Sequence, residues 1–177
     1  MLLVRYPAAG ARFVERLTYL GYAVPGLVVA LAFVAFGAGT PVYQTLAMLI
    51  AACVVRFLPE ALSSSRAALL QVSPHLEEAA RGLGRSQLRA VASVTAPLAR
   101  PGILAGAALV LLTAMKELPA TLLLSPTGWN TLAVEVWTAA SDAAYGQAAA
   151  PALLLIGAAA VPMLFLAPRD GVREPAP

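Results

Sequence analysis

One cysteine and one histidine are all that 177 residues provide of the side chains that most often hold metals. Cys53 has no second thiol to pair with, so a disulfide within the chain is excluded. It lies inside an apolar run and reads as a small buried hydrophobe. His75 stands alone, which rules out a multi-histidine metal site. There is no glycine-rich phosphate loop, so the chain does not bind ATP in the Walker manner. No Ser/His/Asp or zinc-ligand grouping occurs. The chain therefore reads as not itself an enzyme, with no cofactor and no metal of its own. Charge is scarce too: 12% of residues are Asp, Glu, Lys or Arg, against about 25% in a soluble domain. What fills the space is apolar, at 60% of residues with a mean hydropathy of +0.79. These values describe an integral membrane protein. No cleavable signal is evident, since Met1–Val4 is followed at once by Arg5 and Pro7; the first span is expected to act as its own insertion signal.

The expected fold class is all-α: a polytopic membrane helix bundle of about four spans with a two-helix cytoplasmic loop. Residues 1–16 are a polar lead carrying Arg5, Arg12 and Arg16. Leu17 to Gly37 is uncharged and suits one membrane helix of about 20 residues. Gly39-Thr40-Pro41 marks a tight turn. A second span is expected from Pro41 to Leu58, with Arg56 near its end and Pro59 as its stop. Polar residues then dominate 59–101. A third span starts near Gly102 and reaches Leu118 or Leu124, with Gly102 and Gly106 four apart as a small-residue face for close packing. Residues 125–147 form a loop with a short helix after Asn130. The last span covers Ala148 to Ala167, and 169–177 is a polar tail.

Orientation follows from the arginines. All eleven fall in the lead, at the end of the second span, in the 59–101 interval or in the tail. The loop 125–147 carries Glu135 and Asp142 and no basic residue. With four spans, this alternation places both termini and the 59–101 loop in the cytoplasm. Trp129, Trp137 and Tyr145 would then anchor the outer interface.

The most patterned stretch is Ser73 to Pro97. Ser73-Pro74 reads as a helix start, with Pro where its missing N–H costs nothing. Glu77 and Glu78 follow near the positive end of the helix dipole. Leu76, Ala79, Ala80 and Leu83 share one apolar face. Gly84 can take positive φ and end the helix. Ser86 can cap a second short helix with Leu88, Val91 and Val94 on one face and Arg85 and Arg89 on the other. Two short helices meeting at a glycine corner are expected. A basic amphipathic segment resting on the bilayer surface has the same pattern.

This stretch resembles the EAA loop of binding-protein-dependent ABC-importer permeases. In that family Glu-Ala-Ala is followed after three residues by Gly, and after nine more by Ile-x-Leu-Pro. Glu78, Ala79, Ala80, Gly84 and Pro97 fall on that spacing, while Val94 replaces the Ile and Ala96 the Leu. The resemblance covers about residues 17–168, the expected permease domain. It implies that the loop docks on a separate ABC ATPase subunit and passes motion to the spans. Glu78 would meet a basic residue there, and Gly84 would set the corner. Arg81, Arg85 and Arg89 serve either as partner contacts or as the inside-positive signal. The other implied partners are a periplasmic substrate-binding protein, the lipid bilayer and a second permease half or a second copy; no nucleic acid is expected. The setting would be the inner (plasma) membrane.

Lys116-Glu117-Leu118-Pro119-Ala120-Thr121 is the other informative run. By helix rise Lys116 lies about 20 Å from Gly102, about two-thirds of a ~30 Å core. Charges at that depth face a bundle interior or a cavity. Neighbouring helix positions do not face each other, so Lys116 and Glu117 need separate partners unless Pro119 distorts the helix. They are either a structural polar cluster or, with Pro119, part of a gate or substrate path. The run resembles ferric-iron permeases, where Glu-Leu-Pro-Ala-Thr commonly follows this span, and that likeness is the basis for expecting ferric iron. Import of a polyamine, thiamine, a phosphonate or another anion is the alternative, as is a truncated fragment that transports nothing. Such permeases usually have further spans before the one near Leu17, so the chain looks like the C-terminal part of a longer permease.

Overall fold

The computed structural model describes residues 18–19 and 24–166. The expected lead at 1–16, the tail at 169–177 and most of the first half of the first expected span fall outside the described residues. Among the described residues there are helices and turns and no strand. In chain order they are α1 (Gly26–Gly37), α2 (Leu46–Leu70), α3 (Pro74–Gly82), α4 (Gln87–Ala90), a π-helical turn (Val91–Thr95), α5 (Ala96–Met115), α6 (Pro119–Leu124), α7 (Leu132–Ser141) and α8 (Tyr145–Leu166). Three continuous helical stretches are long and apolar enough to cross a membrane: Leu46–Leu70, Gln87–Met115 and Tyr145–Leu164. The twelve residues of α1 make up most of the described part of the first expected span.

Local chemistry explains the boundaries. Thr45 caps α2, its hydroxyl accepting from the Met48 N–H at 3.4 Å. Thr131 does the same for α7 through Val134 at 3.3 Å. The turn between α1 and α2 is built on Gly39 at φ +81°, with the Thr40 hydroxyl donating to the Gly37 carbonyl at 2.7 Å.

Two expected boundaries are corrected. Pro59 does not end the second span; α2 starts at Leu46 and runs through Pro59 to Leu70. A mid-helix proline costs about 3 kcal/mol where nothing compensates. Here Pro59 is fully buried, and packing against α5 overrides the local preference. The third span does not start near Gly102 either. Helix is continuous from Gln87, through Pro97 and Pro101, to Met115. Pro97 cannot donate to a carbonyl four residues back, and the π-turn immediately before it is where the ordinary ladder gives way.

α2 and α5 pack antiparallel, and their register is readable from four contacts. A Cβ built on Gly102 would lie 2.7 Å from the Ala68 Cβ, and one on Gly106 would collide with Ser64. Farther along, the Thr113 hydroxyl donates to Glu60 Oε1 at 3.2 Å, and Arg56 Nε donates to Glu117 Oε2 at 2.7 Å. The two glycines thus let the backbones approach closely, as their spacing suggests. α6 continues the line past Glu117 and packs on α1 and α2, where Ala30, Met48, Leu49, Ala52, Ala120 and Leu124 form one buried cluster. A second small cluster, Leu69, Val72 and Ala99, closes the other end of α2 against α5. α8 packs on α7 and α5 and exposes Leu153, Leu154, Ile156 and Leu164. In a bilayer that surface needs no water-excluding cover.

Candidate functional site

The loop between α2 and α5 is a built corner. Pro74 occupies the first turn of α3, but the hydroxyls of Ser73 and Ser86 make no capping bond. The far end of α3 carries the order. Gly84 sits at φ +84°, its N–H donates to the Arg81 carbonyl at 2.9 Å, and the Arg85 N–H donates to the Ala80 carbonyl at 3.2 Å. That pair is a Schellman ending, which needs a residue able to take positive φ at the position of Gly84. Arg85 also reaches across the corner to Ser93.

α3 presents its faces differently from the simple apolar stripe expected of it. Ala80 and Glu77 point inward, at 7% and 5% exposure. Leu76 and Ala79 point outward, and Leu83 and Leu88 are 86% and 83% exposed on either side of the corner. Glu78 is exposed, 3.2 Å from its neighbour His75. Arg81, Arg85, Arg89 and Pro97 are exposed too. The result is an acid and two leucines ringed by arginines on a rigid projection, with Ala80 serving the loop's own packing. Glu77 was singled out in the sequence only as a dipole complement; its burial against the chain gave no signal there.

The second candidate lies at the break between α5 and α6. α5 ends in a tightened turn in which the Glu117 N–H donates to the Ala114 carbonyl at 3.0 Å. Pro119 starts α6. Glu117 sits in the break and is 5% exposed. One carboxylate oxygen accepts from Arg56 and the other from the Ala120 N–H at 3.3 Å. The Thr121 hydroxyl donates to the Glu117 carbonyl at 2.7 Å. Arg56 also lies over the Phe57 ring, 5.8 Å from its centre, and its guanidinium fills the space that a side chain on Gly26 would need. Lys116, next to Glu117, is exposed. The partner of Glu117 is therefore Arg56, a residue the sequence had placed near a membrane surface. Arg56 is about ten residues, or ~15 Å, into α2, near the middle of a ~30 Å core.

Two cavities flank this break. One of about 540 Å³ is lined by apolar groups including Cys53, Phe57, Ala114 and Trp129, and suits a helix or a lipid tail rather than an ion. The other, about 340 Å³, is lined by Tyr19, Pro59, Glu60, Ser63 and Ser64. It opens about one helical turn from Arg56, and Glu60, Ser63 and Ser64 put polar groups into a wall that is otherwise mostly apolar. Among the described residues no group of three or more His, Cys, Asp or Glu side chains converges.

The geometry is an interrupted helix with a buried ion pair at mid-depth, beside a projecting two-helix loop. Comparison with known proteins matches the chain to transport permeases. The family of binding-protein-dependent transport system inner membrane components matches residues 2–167. The chain is 40% identical over 165 residues to the Fe(3+)-transport system permease protein FbpB 2 of Haemophilus influenzae, covering 92% of this chain and 33% of that one. It is 29% identical over 168 residues to the putative 2-aminoethylphosphonate transport system permease protein PhnV of Salmonella typhimurium, covering 94% and 63%. A probable molybdenum ABC transporter permease protein of Haloferax volcanii is 36% identical over 108 residues, covering 61% and 40%. The chain spans between a third and just under two-thirds of the length of these relatives. With nearly every residue inside the family match, and helices of the kind an inner membrane component needs, this chain belongs to the binding-protein-dependent transport system inner membrane component family.

Proposed function

We propose that this chain is a membrane-spanning permease subunit of an ATP-driven importer that moves ferric iron into the cytoplasm. The observation that carries the reading is the corner at Gly84. It holds Glu78, Leu83 and Leu88 outward on the exposed face of the loop. A separate ABC ATPase subunit is the partner that such a projection fits. A binding protein delivers substrate on the other side, and a second permease half or a second copy completes the pathway. Both termini lie in the cytoplasm, as the arginine distribution argues.

The helix break supplies the other half. Non-helical backbone at membrane depth is tolerated where it is buried in protein or lines a cavity, and interrupted helices frame substrate sites in many transporters. Glu117, with Lys116 and Pro119 around it, is the gate. In the closed arrangement Arg56 neutralises the carboxylate. Drawing α5 along α2 parts the pair and frees the carboxylate for a passing cation, with the hollow at Glu60 next along α2. Iron is the preferred substrate because the Glu117-to-Thr121 run resembles ferric permeases and the ferric relative matches at 40% identity over most of the chain. A second reading, an oxyanion, is favoured by the phosphonate and molybdenum permeases among the relatives and by the exposed Lys116.

The test is ATP hydrolysis by the assembled transporter in liposomes, with binding protein loaded in turn with ferric iron, molybdate or 2-aminoethylphosphonate. Ferric loading is expected to raise hydrolysis several-fold and the two anions to leave it at the basal rate. Stimulation by an anion alone would overturn the iron assignment.

A further inference from the structure

The loop contains a buried contact that docking on a partner does not require. Glu77 lies in the first turn of α3, directly before Glu78, yet its side chain points the opposite way and is 5% exposed. The Thr95 hydroxyl donates to Glu77 Oε2 at 3.1 Å. Thr95 is itself fully buried and is the last residue of the π-helical turn that leads into α5. Ala80 on α3, Ala90 just before the π-turn and Ala99 on α5 are buried as well. A carboxylate in such a place is costly unless it is well bonded. Its position does not follow from the outward acid that the partner needs.

We infer that Glu77 and Thr95 form the mechanical link through which movement of α3 reaches the foot of α5. Two routes connect them. One runs along the chain through the Gly84 corner and α4, about 18 residues of backbone with a glycine hinge in the middle. The other is the buried contact between Glu77 and Thr95, which crosses that distance at once. A hinge yields when pushed, whereas a buried bond in close-packed surroundings passes displacement on. The π-turn places the bond where the helix ladder is already widened, so α5 can shift against α4 without losing an entire turn of hydrogen bonds. Glu77 and Thr95 are thus positioning residues: they touch neither ATPase nor substrate. This inference rests on the reading of the loop as an ATPase-coupling element.

The experiment uses the assembled transporter in liposomes, with ferric-loaded binding protein, and reads three quantities: ATPase co-purification, basal hydrolysis, and iron imported per ATP hydrolysed. Thr95→Val keeps the side-chain shape and removes the donor. It is expected to leave co-purification and basal hydrolysis as in the parent and to lower iron per ATP at least about fivefold. Thr95→Ser restores the donor and is expected to restore the ratio. Glu77→Gln keeps an acceptor oxygen and should stay near the parent, whereas Glu77→Ala should match Thr95→Val. The double variant Glu77→Ala/Thr95→Val should be no worse than Glu77→Ala alone, because that change already removes the bond to Thr95. A parental ratio in Thr95→Val overturns the inference. So does loss of Thr95→Val from the membrane with Thr95→Ser equally lost, which would make the contact a packing requirement. If the coupling reading itself is wrong, co-purification will be indifferent to changes on the outward face at Glu78 and Leu83, a result that the buried pair does not affect.

Discussion

Glu117→Gln is expected to leave the protein in the membrane and to cut iron import by roughly tenfold or more, equivalent to ~1.4 kcal/mol on the limiting step. Gln keeps the shape of Glu and can still accept from Ala120, so the break holds. Arg56 loses its countercharge but keeps its contact with the Phe57 ring. Arg56→Gln is different. It leaves a carboxylate whose side chain is 4% exposed without a counter-ion near mid-membrane. Removing one partner of a buried pair costs about 3–5 kcal/mol, so this variant should be depleted from the membrane. The double variant Arg56→Gln/Glu117→Gln removes both charges and should recover its membrane level while import stays low. Immunoblots of membranes beside uptake of radiolabelled iron separate these outcomes. Full import by the double variant would reduce the pair to a structural brace.

The second large effect is expected at the loop. Glu78→Lys puts a cation where a basic residue of the ATPase is expected, and a like charge across an interface costs several kcal/mol. Association should fall by a hundredfold or more on that scale, about 2.8 kcal/mol. Gly84→Val acts by another route. Nothing lies within 4 Å of a Cβ built on Gly84, so sterics with other residues are not the obstacle. The backbone at φ +84° is, and an L-residue there costs on the order of 1–2 kcal/mol, more when β-branched. Gly84→Asn, whose short polar side chain tolerates that region, should be the mildest replacement. Both Glu78→Lys and Gly84→Val should insert normally, because neither touches a span. Ser125→Ala is the distant control: the Ser125 hydroxyl is buried without a partner among the described residues, so its removal should change neither ATPase binding nor stimulation. Co-purification and substrate-stimulated hydrolysis are the readouts.

What the sequence made legible was periodic or punctuated. Apolar runs located α2, α5 and α8, and Gly84 located the corner with its positive φ. Gly102 and Gly106 announced the close approach of α2 and α5. Tertiary burial hid the rest. Pro59 looked like a stop because proline is a poor helix former in isolation, yet a buried proline flanked by another helix is carried through. That single misplacement shortened α2 at its inner end. It put Arg56 at a surface, where it had no reason to find Glu117. The partnership across 61 positions of sequence has no local signature. Glu77 and Glu78 are adjacent acids of identical propensity, and only the packing of α3 on the π-turn decides that one is buried and the other exposed. The break after Met115 turns Glu117 inward to Arg56 and leaves Lys116 exposed.

The proposed coupling depends above all on the corner at Gly84 seating on the ATPase subunit. The direct measurement is site-specific photo-crosslinking in the assembled transporter, with the photoreactive residue placed at Leu83 and, separately, at Trp129 in the loop before α7. Leu83 projects from the corner at 86% exposure and Trp129 is 45% exposed, so both positions accept a bulky probe without disturbing a core. An adduct of this chain with the ATPase subunit is expected from Leu83 and none from Trp129. An ATPase adduct from Trp129 with none from Leu83 would contradict that seating.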